Sequence, residues 1–170
     1  QQYYTAEEIG KSSGTIESIA FKTADVAAEA GKYPFTRNLE IYMVNSEGYA
    51  IVGNGMKAMS ASDLVFSGDV TFAYNAWVSI DITDFEYTGK NLVLIVYDKT
   101  GTNYNYNYEI CDKFYSSQIN TLRGKYIYKT SEINISQLST YYGNNMKTAS
   151  WGTPANVYYI NNIKLTVASS

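Results

Sequence analysis

The sequence predicts an all-β protein, an antiparallel β-sandwich of jelly-roll type with one short N-terminal helix. Three observations lead there. Apolar residues alternate with polar ones over short runs, as in "RNLEIYMVN" and "WVSIDI". Turn-forming groups recur at spacings of roughly 8–12 residues, the rhythm of a sandwich rather than of α/β units. Tyrosine occurs 18 times and proline only twice, a balance that suits strands.

The elements follow in chain order. In "YTAEEIG", Thr5 is placed to cap a helix, Glu8 follows three residues later, and Gly10 can end the turn. "GTIESIAFKTA" sets Glu17, Ile19 and Phe21 against Ile16, Ser18 and Ala20. A second helical patch is expected in Asp25–Pro34. "RNLEIYMVN" puts Leu39, Ile41 and Met43 on one face and Asn38, Glu40 and Tyr42 on the other, a half-buried strand. "DLVFSGDVTFAY" reads as two short strands around Ser67-Gly68-Asp69. In "WVSIDI", Val78, Ile80 and Ile82 should point inward. "NLVLIVYD" is apolar on both faces and should be a central strand. Turns are expected at Asn45–Gly48, Gly53–Gly55, Thr88–Asn91 and Lys99–Gly101. "GKYIYKT" and "VYYINNIKLTV" are the last clear strands, and 131–154 reads as a long loop.

Composition excludes several chemistries. The chain of 170 residues has no histidine and one cysteine, Cys111. Ser-His-Asp and Cys-His nucleophile systems are therefore absent, as are ordinary zinc sites. The net charge is −3 and basic residues are scattered singly, which argues against nucleic acid as a partner. No apolar run is long enough for a membrane-spanning helix, so no membrane insertion is expected. Calcium is the one metal with ligands of the right hardness, a structural ion held by Asp81, Asp84 and Asp98 with Glu86 nearby.

The tyrosines raise the functional question. In "TNYNYNYEIC", Tyr104, Tyr106, Tyr108 and Ile110 share one face of a strand, with Asn103, Asn105, Asn107 and Glu109 on the other. Burying the Asn–Glu face would cost about 1–3 kcal/mol per unpaired group, so the tyrosine row turns inward and Tyr104, beside the turn, stays open. Trp77 falls on the Ser79 and Asp81 side of its strand. There it is either an exposed platform or, as the favoured reading, a cover for one end of the sandwich. Trp151 and the pair Tyr141 and Tyr142 lie in the aperiodic stretch, where fewer structural roles account for them.

The stretches "YTAEEIG", "GTIESIAFKT", "TRNLEIYMVN", "VFSGDVTF", "AWVSIDI" and "FEYTGKNLVLIVYDKTG", with the closing "INNIKLTV", resemble a β-sandwich accessory module of secreted and surface multidomain proteins of Bacteroidetes, of carbohydrate-binding-module type. The resemblance covers roughly residues 3 to 102 and the closing strand. It implies a "VFSG-VT" hairpin, a "F-YTG-NL" hairpin and a structural role for Trp77. It also implies a single module, residues 1–170, excised from a larger extracellular or cell-surface protein, with neighbouring domains of the same polypeptide as partners.

The expected function is accordingly non-catalytic binding of a polysaccharide or oligosaccharide. Sugar rings have apolar faces and polar rims, so flat aromatics flanked by amides suit them. Tyr104, Tyr141, Tyr142 and Trp151 are the stacking candidates, and Asn103, Asn105, Asn144 and Asn145 the hydrogen-bonding ones. A protein-binding adhesion module is the alternative, since the same side chains serve protein recognition. A small jelly-roll glycosidase is a third reading. It needs two carboxyls about 5–10 Å apart, and Glu40 and Glu109 are the strand glutamates available.

Overall fold

The computed structural model describes residues 1–48, 57–100, 116–118, 123–125, 134–140, 156–157 and 159–168. The strands are β1 (Gln2–Tyr4), β2 (Gly14–Lys22), β3 (Phe35–Ser46), β4 (Leu64–Phe72), β5 (Trp77–Tyr87), β6 (Asn91–Asp98), β7 (Ser116–Gln118), β8 (Gly124–Lys125), β9 (Asn156–Val157), β10 (Tyr159–Asn161) and β11 (Ile163–Ala168). All pairings are antiparallel. One sheet runs β4-β3-β6-β1-β8-β9, a second β11-β2-β5, and β10 pairs with β7. The fold is thus the expected all-β, sandwich-like one.

The core lies between the two larger sheets. Leu39, Ile41 and Met43 of β3, Val70 and Phe72 of β4 and Leu92 and Leu94 of β6 meet Ile16, Ile19 and Phe21 of β2 and Ile80, Ile82 and Tyr87 of β5. Several of these are wholly shielded from water, and each fully buried aliphatic side chain contributes about 1.5–3 kcal/mol. β6 lies between β3 and β1, as its two apolar faces require.

The helix α1 (Ala6–Ile9) forms as its sequence dictates. The Glu8 amide donates to Thr5 Oγ1 and the Thr5 amide to the Glu8 carboxylate, a reciprocal cap, and Gly10 closes the turn at φ 67°. The Asp25–Pro34 patch is a 3-10 turn over Ala27–Lys32.

Five local readings are corrected. β2 does not alternate simply: its pairing slips between Ile16 and Ser18 against β5, and against β11 Glu17 is bulged out, so that Ile16 and Ile19 both reach the core. Ser67-Gly68-Asp69 is no turn, because β4 is continuous there and pairs with Glu40, Leu39 and Asn38 of β3. Local turn preference yields to an intact ladder, reinforced by Asn38 Nδ2 donating to Asp69 at 2.8 Å. Nor do β5 and β6 form a hairpin; they belong to different sheets, and Thr88–Lys90 carries the chain across. Asn45 fastens that crossing through Nδ2 to the Glu86 carbonyl and Oδ1 from the Thr88 amide. Gly89 sits at φ 77°, where an added Cβ would lie 1.8 Å from the Ser12 carbonyl oxygen.

The fourth correction concerns β3, which is covered on both faces. Tyr42 joins Tyr3, Met59, Val93, Ile95 and Leu138 in a second apolar cluster on the outer face of the six-stranded sheet. The fifth follows from it. The expected loop at 131–154 contains a 3-10 helix, Ile135–Thr140, whose Leu138 closes that cluster; the Met59 amide donates to the Ile135 carbonyl at 3.1 Å.

Candidate functional site

The two sheets treat their outer faces differently, and the difference locates the site. On the three-stranded sheet, Ile19 and Phe21 of β2 point into the core, so Ser18, Ala20 and Lys22 point out. The register sets Lys22 opposite Trp77, Ala20 between Lys164 and Ser79, and Ser18 between Thr166 and Asp81. This face is therefore a floor of small residues flanked by an aromatic, two lysines, two hydroxyls and a carboxylate.

Trp77 is its distinctive member. It is 38 % exposed, and Lys164 Nζ lies 4.2 Å from its ring centroid. Trp77 and Lys164 stand two strands apart, about 10 Å at ordinary strand spacing, so the two side chains meet over β2. Ala20 and Ser18 face outward yet are only 7 % and 8 % exposed, as expected of small side chains beneath larger neighbours. The cation–π contact contributes about 0.5–1 kcal/mol at such an exposed site. Lys22 Nζ donates to Asn75 Oδ1 at 2.7 Å, which keeps a second ammonium at the same end. Asn75 turns the chain there with φ 49°, a left-handed conformation that asparagine tolerates.

Trp77 stands at the start of β5 on the outward side of its sheet, partly covered and partly open to water. The reason is strand alternation: Val78, Ile80 and Ile82 take the inward positions. Lys164 escaped the sequence reading altogether. Its outward orientation was legible from Ile163, Leu165 and Val167 packing on the core, but its proximity to Trp77 depends on β11 pairing with β2.

A second polar group lies on the outer face of the other sheet. Tyr42 Oη donates to Glu40 Oε2 at 2.5 Å, and Lys99 Nζ donates to Glu40 Oε1 at 2.9 Å. Burial alone would raise the Glu40 pKa, but the hydrogen bonds from Tyr42 and Lys99 and the Lys99 charge outweigh it and hold the carboxyl below the usual range. Burial and the bond to Glu40 push the Tyr42 phenol upward. Glu40 is thereby an ionised anchor for Tyr42 and Lys99.

The calcium ligands expected from the sequence are not brought together. Asp81 and Asp84 lie on β5, whereas Asp98 belongs to the other sheet. There Asp98 accepts from Arg37 Nε at 2.6 Å and from the Thr100 amide and hydroxyl, which occupies its carboxylate. Among the described residues no group of three or more histidine, cysteine, aspartate or glutamate side chains is placed to hold a metal. Tyr104, Tyr141, Tyr142, Trp151, Asn103, Asn105, Asn144 and Asn145 lie outside the described residues, as do Glu109 and Cys111. Among the described residues no helix is long and apolar enough to cross a membrane.

No protein-family model, curated protein or solved structure matches this chain.

Proposed function

We propose that this chain is a non-catalytic saccharide-binding module, one unit of a larger secreted or surface protein. The observation that carries the reading is Trp77, a large, partly exposed aromatic on the outer face of a sheet, set among hydroxyl, ammonium and carboxylate groups on paired strands. A sugar ring offers matching surfaces, an apolar face for the indole and hydroxyls for Ser79, Thr166 and Asp81. The sequence resemblance to accessory modules of extracytoplasmic proteins supports the same reading. The absence of histidine removes the Ser-His-Asp and Cys-His nucleophile systems, which is compatible with that reading.

Magnitudes set the expected strength. The exposed part of Trp77 amounts to about 90 Å² of a side chain that can bury up to about 250 Å². Covering it contributes roughly 2 kcal/mol. A millimolar dissociation constant corresponds to about −4 kcal/mol and a micromolar one to about −8. Hydrogen bonds and charge must supply the rest, so the affinity expected lies between those limits and depends on several contacts.

Affinity electrophoresis against a panel of plant, bacterial and host polysaccharides tests the reading. Retardation by at least one polysaccharide, lost in Trp77→Ala while the variant still unfolds cooperatively and keeps the β-sheet circular dichroism of the parent, is the expected result. Retardation that survives in Trp77→Ala but disappears in Trp151→Ala or Tyr104→Ala transfers the site to the rings chosen from sequence. Failure to bind any polysaccharide, with capture of a surface protein instead, supports the adhesion-module alternative.

A further inference from the structure

Resting on the saccharide reading above, we infer that the ligand of the Trp77 face is an acidic saccharide, one carrying a carboxylate beside neutral rings. The argument starts from what already occupies the indole. Lys164 Nζ stands 4.2 Å from the ring centroid. A neutral sugar stacking on Trp77 must share the ring with that ammonium or displace it, and gains nothing from its charge. A sugar with a carboxylate uses both, its apolar face against the indole and its anion against the ammonium. Lys22, opposite Trp77 in the ladder and held by Asn75, adds a second positive charge at the same end. Two lysines gathered at one aromatic are notable in a chain of net charge −3.

The rest of the face sets a direction. Asp81 lies four residues along β5 from Trp77, about 13 Å at the rise of a strand. Asp84 and Glu86 are exposed farther along the same strand, where Thr15 Oγ1 donates to Glu86 at 2.8 Å. The face is bipolar, cationic and aromatic at the Trp77 end and acidic beyond Asp81. A chain of closely spaced carboxylates would meet repulsion at the acidic end. A saccharide with one uronate seated at Trp77 and neutral rings running past Ser79 toward Asp81 meets hydroxyl acceptors instead. The favoured class is therefore sparsely acidic, with neutral residues adjoining each acidic one.

The test compares sparsely acidic polysaccharides (glucuronoxylan and gum arabic) with uniform polyanions (polygalacturonate and alginate). Each is used as found and after chemical reduction of its carboxyl groups, against the intact chain. Binding to at least one sparsely acidic polymer, weakened tenfold or more by carboxyl reduction and by Lys164→Ala but retained in Lys164→Arg, is the expected pattern. Asp81→Asn should then strengthen binding of polygalacturonate severalfold. Equal binding to native and carboxyl-reduced forms overturns the acidic preference while leaving the saccharide reading in place. Binding strongest to the uniform polyanions, unaffected by Asp81→Asn, overturns the bipolar arrangement. Absence of binding to every form, native and reduced, overturns both this inference and the reading on which it rests.

Discussion

The outer faces of the two large sheets carry comparable strands to different ends. On the six-stranded sheet, Tyr42, Val93 and Ile95 point outward and are covered by Met59 and Leu138, so that face is a second core. On the three-stranded sheet, Ser18, Ala20, Ser79 and Thr166 point outward and the face stays open except where Trp77 lies across it. There the large aromatic is 38 % exposed with Lys164 against its ring, so part of the indole is packed and part faces water. The lesson is that a strand apolar on both faces recruits a cover from elsewhere in the chain, whereas a strand with small polar outward residues leaves its surface available. A large aromatic on the second kind of face stands out because packing covers only part of it.

The largest expected effect breaks the covered face. Leu138→Ala should cost about 2–5 kcal/mol in urea unfolding, because it empties a site only 3 % exposed. Polysaccharide binding at the opposite sheet should survive in the folded fraction. If stability is unchanged, the 3-10 helix is not the cover described above.

Arg123 comes next. It is buried, its guanidinium lies 5.1 Å from the Tyr3 ring centroid, its Nε donates to the Tyr3 carbonyl, and it pairs with Glu8. It therefore ties β1 and α1 to the covered sheet. Arg123→Ala leaves the Tyr3 carbonyl and Glu8 without those bonds and should cost about 1–3 kcal/mol by the same measurement.

A smaller effect should appear in acid. The Glu40 carboxyl is held below its ordinary range in the folded chain, so its contribution is complete above the unfolded glutamate value. It is lost as pH falls through the lower, folded value. Glu40→Gln should therefore lower stability at neutral pH by about 1 kcal/mol, consistent with weakening one charged hydrogen-bond pair, and this deficit should vanish in strong acid. Denaturation curves across pH 2 to 7 give the comparison; a deficit that persists unchanged in acid contradicts the assignment.

The last stability test belongs to the open face. Trp77→Ala should cost less than Leu138→Ala, since it loses the covered part of a ring that is 38 % exposed together with a surface cation–π contact, against a side chain that is almost wholly buried. If it costs as much as Leu138→Ala, the two faces do not differ as described and Trp77 belongs to the packing after all.

Much of the architecture was legible beforehand because its cause is local. The Thr5–Glu8 cap, the inward row of β5 and the two-faced apolar β6 are statements about neighbouring residues, and the structure keeps them. What failed depends on distant partners. The Ser67–Asp69 group has turn composition but is fixed in extended form by β3. The bulge at Glu17 is set by β11, and the apparent hairpin at Gly89 is a passage between sheets. For the site the same division holds. Alternation alone placed Trp77 on the polar side of its strand, yet the meaning of that position required Lys164, which joins through the order of strands. The aromatic and amide candidates from Asn103 to Trp151 came from composition and aperiodicity, and they lie outside the described residues.

The pairing of β2 with β11 has a consequence for assembly. These strands come from opposite ends of the described sequence, Phe21 meeting Ile163 and Thr15 meeting Ala168. During synthesis the early strand waits with one edge unsatisfied until residues 163–168 have emerged. Pairings of such long sequence separation slow folding. Lys164 therefore reaches this face after Trp77 and β2 are already made, and a nascent chain not yet extended through β11 would present the indole without its cation.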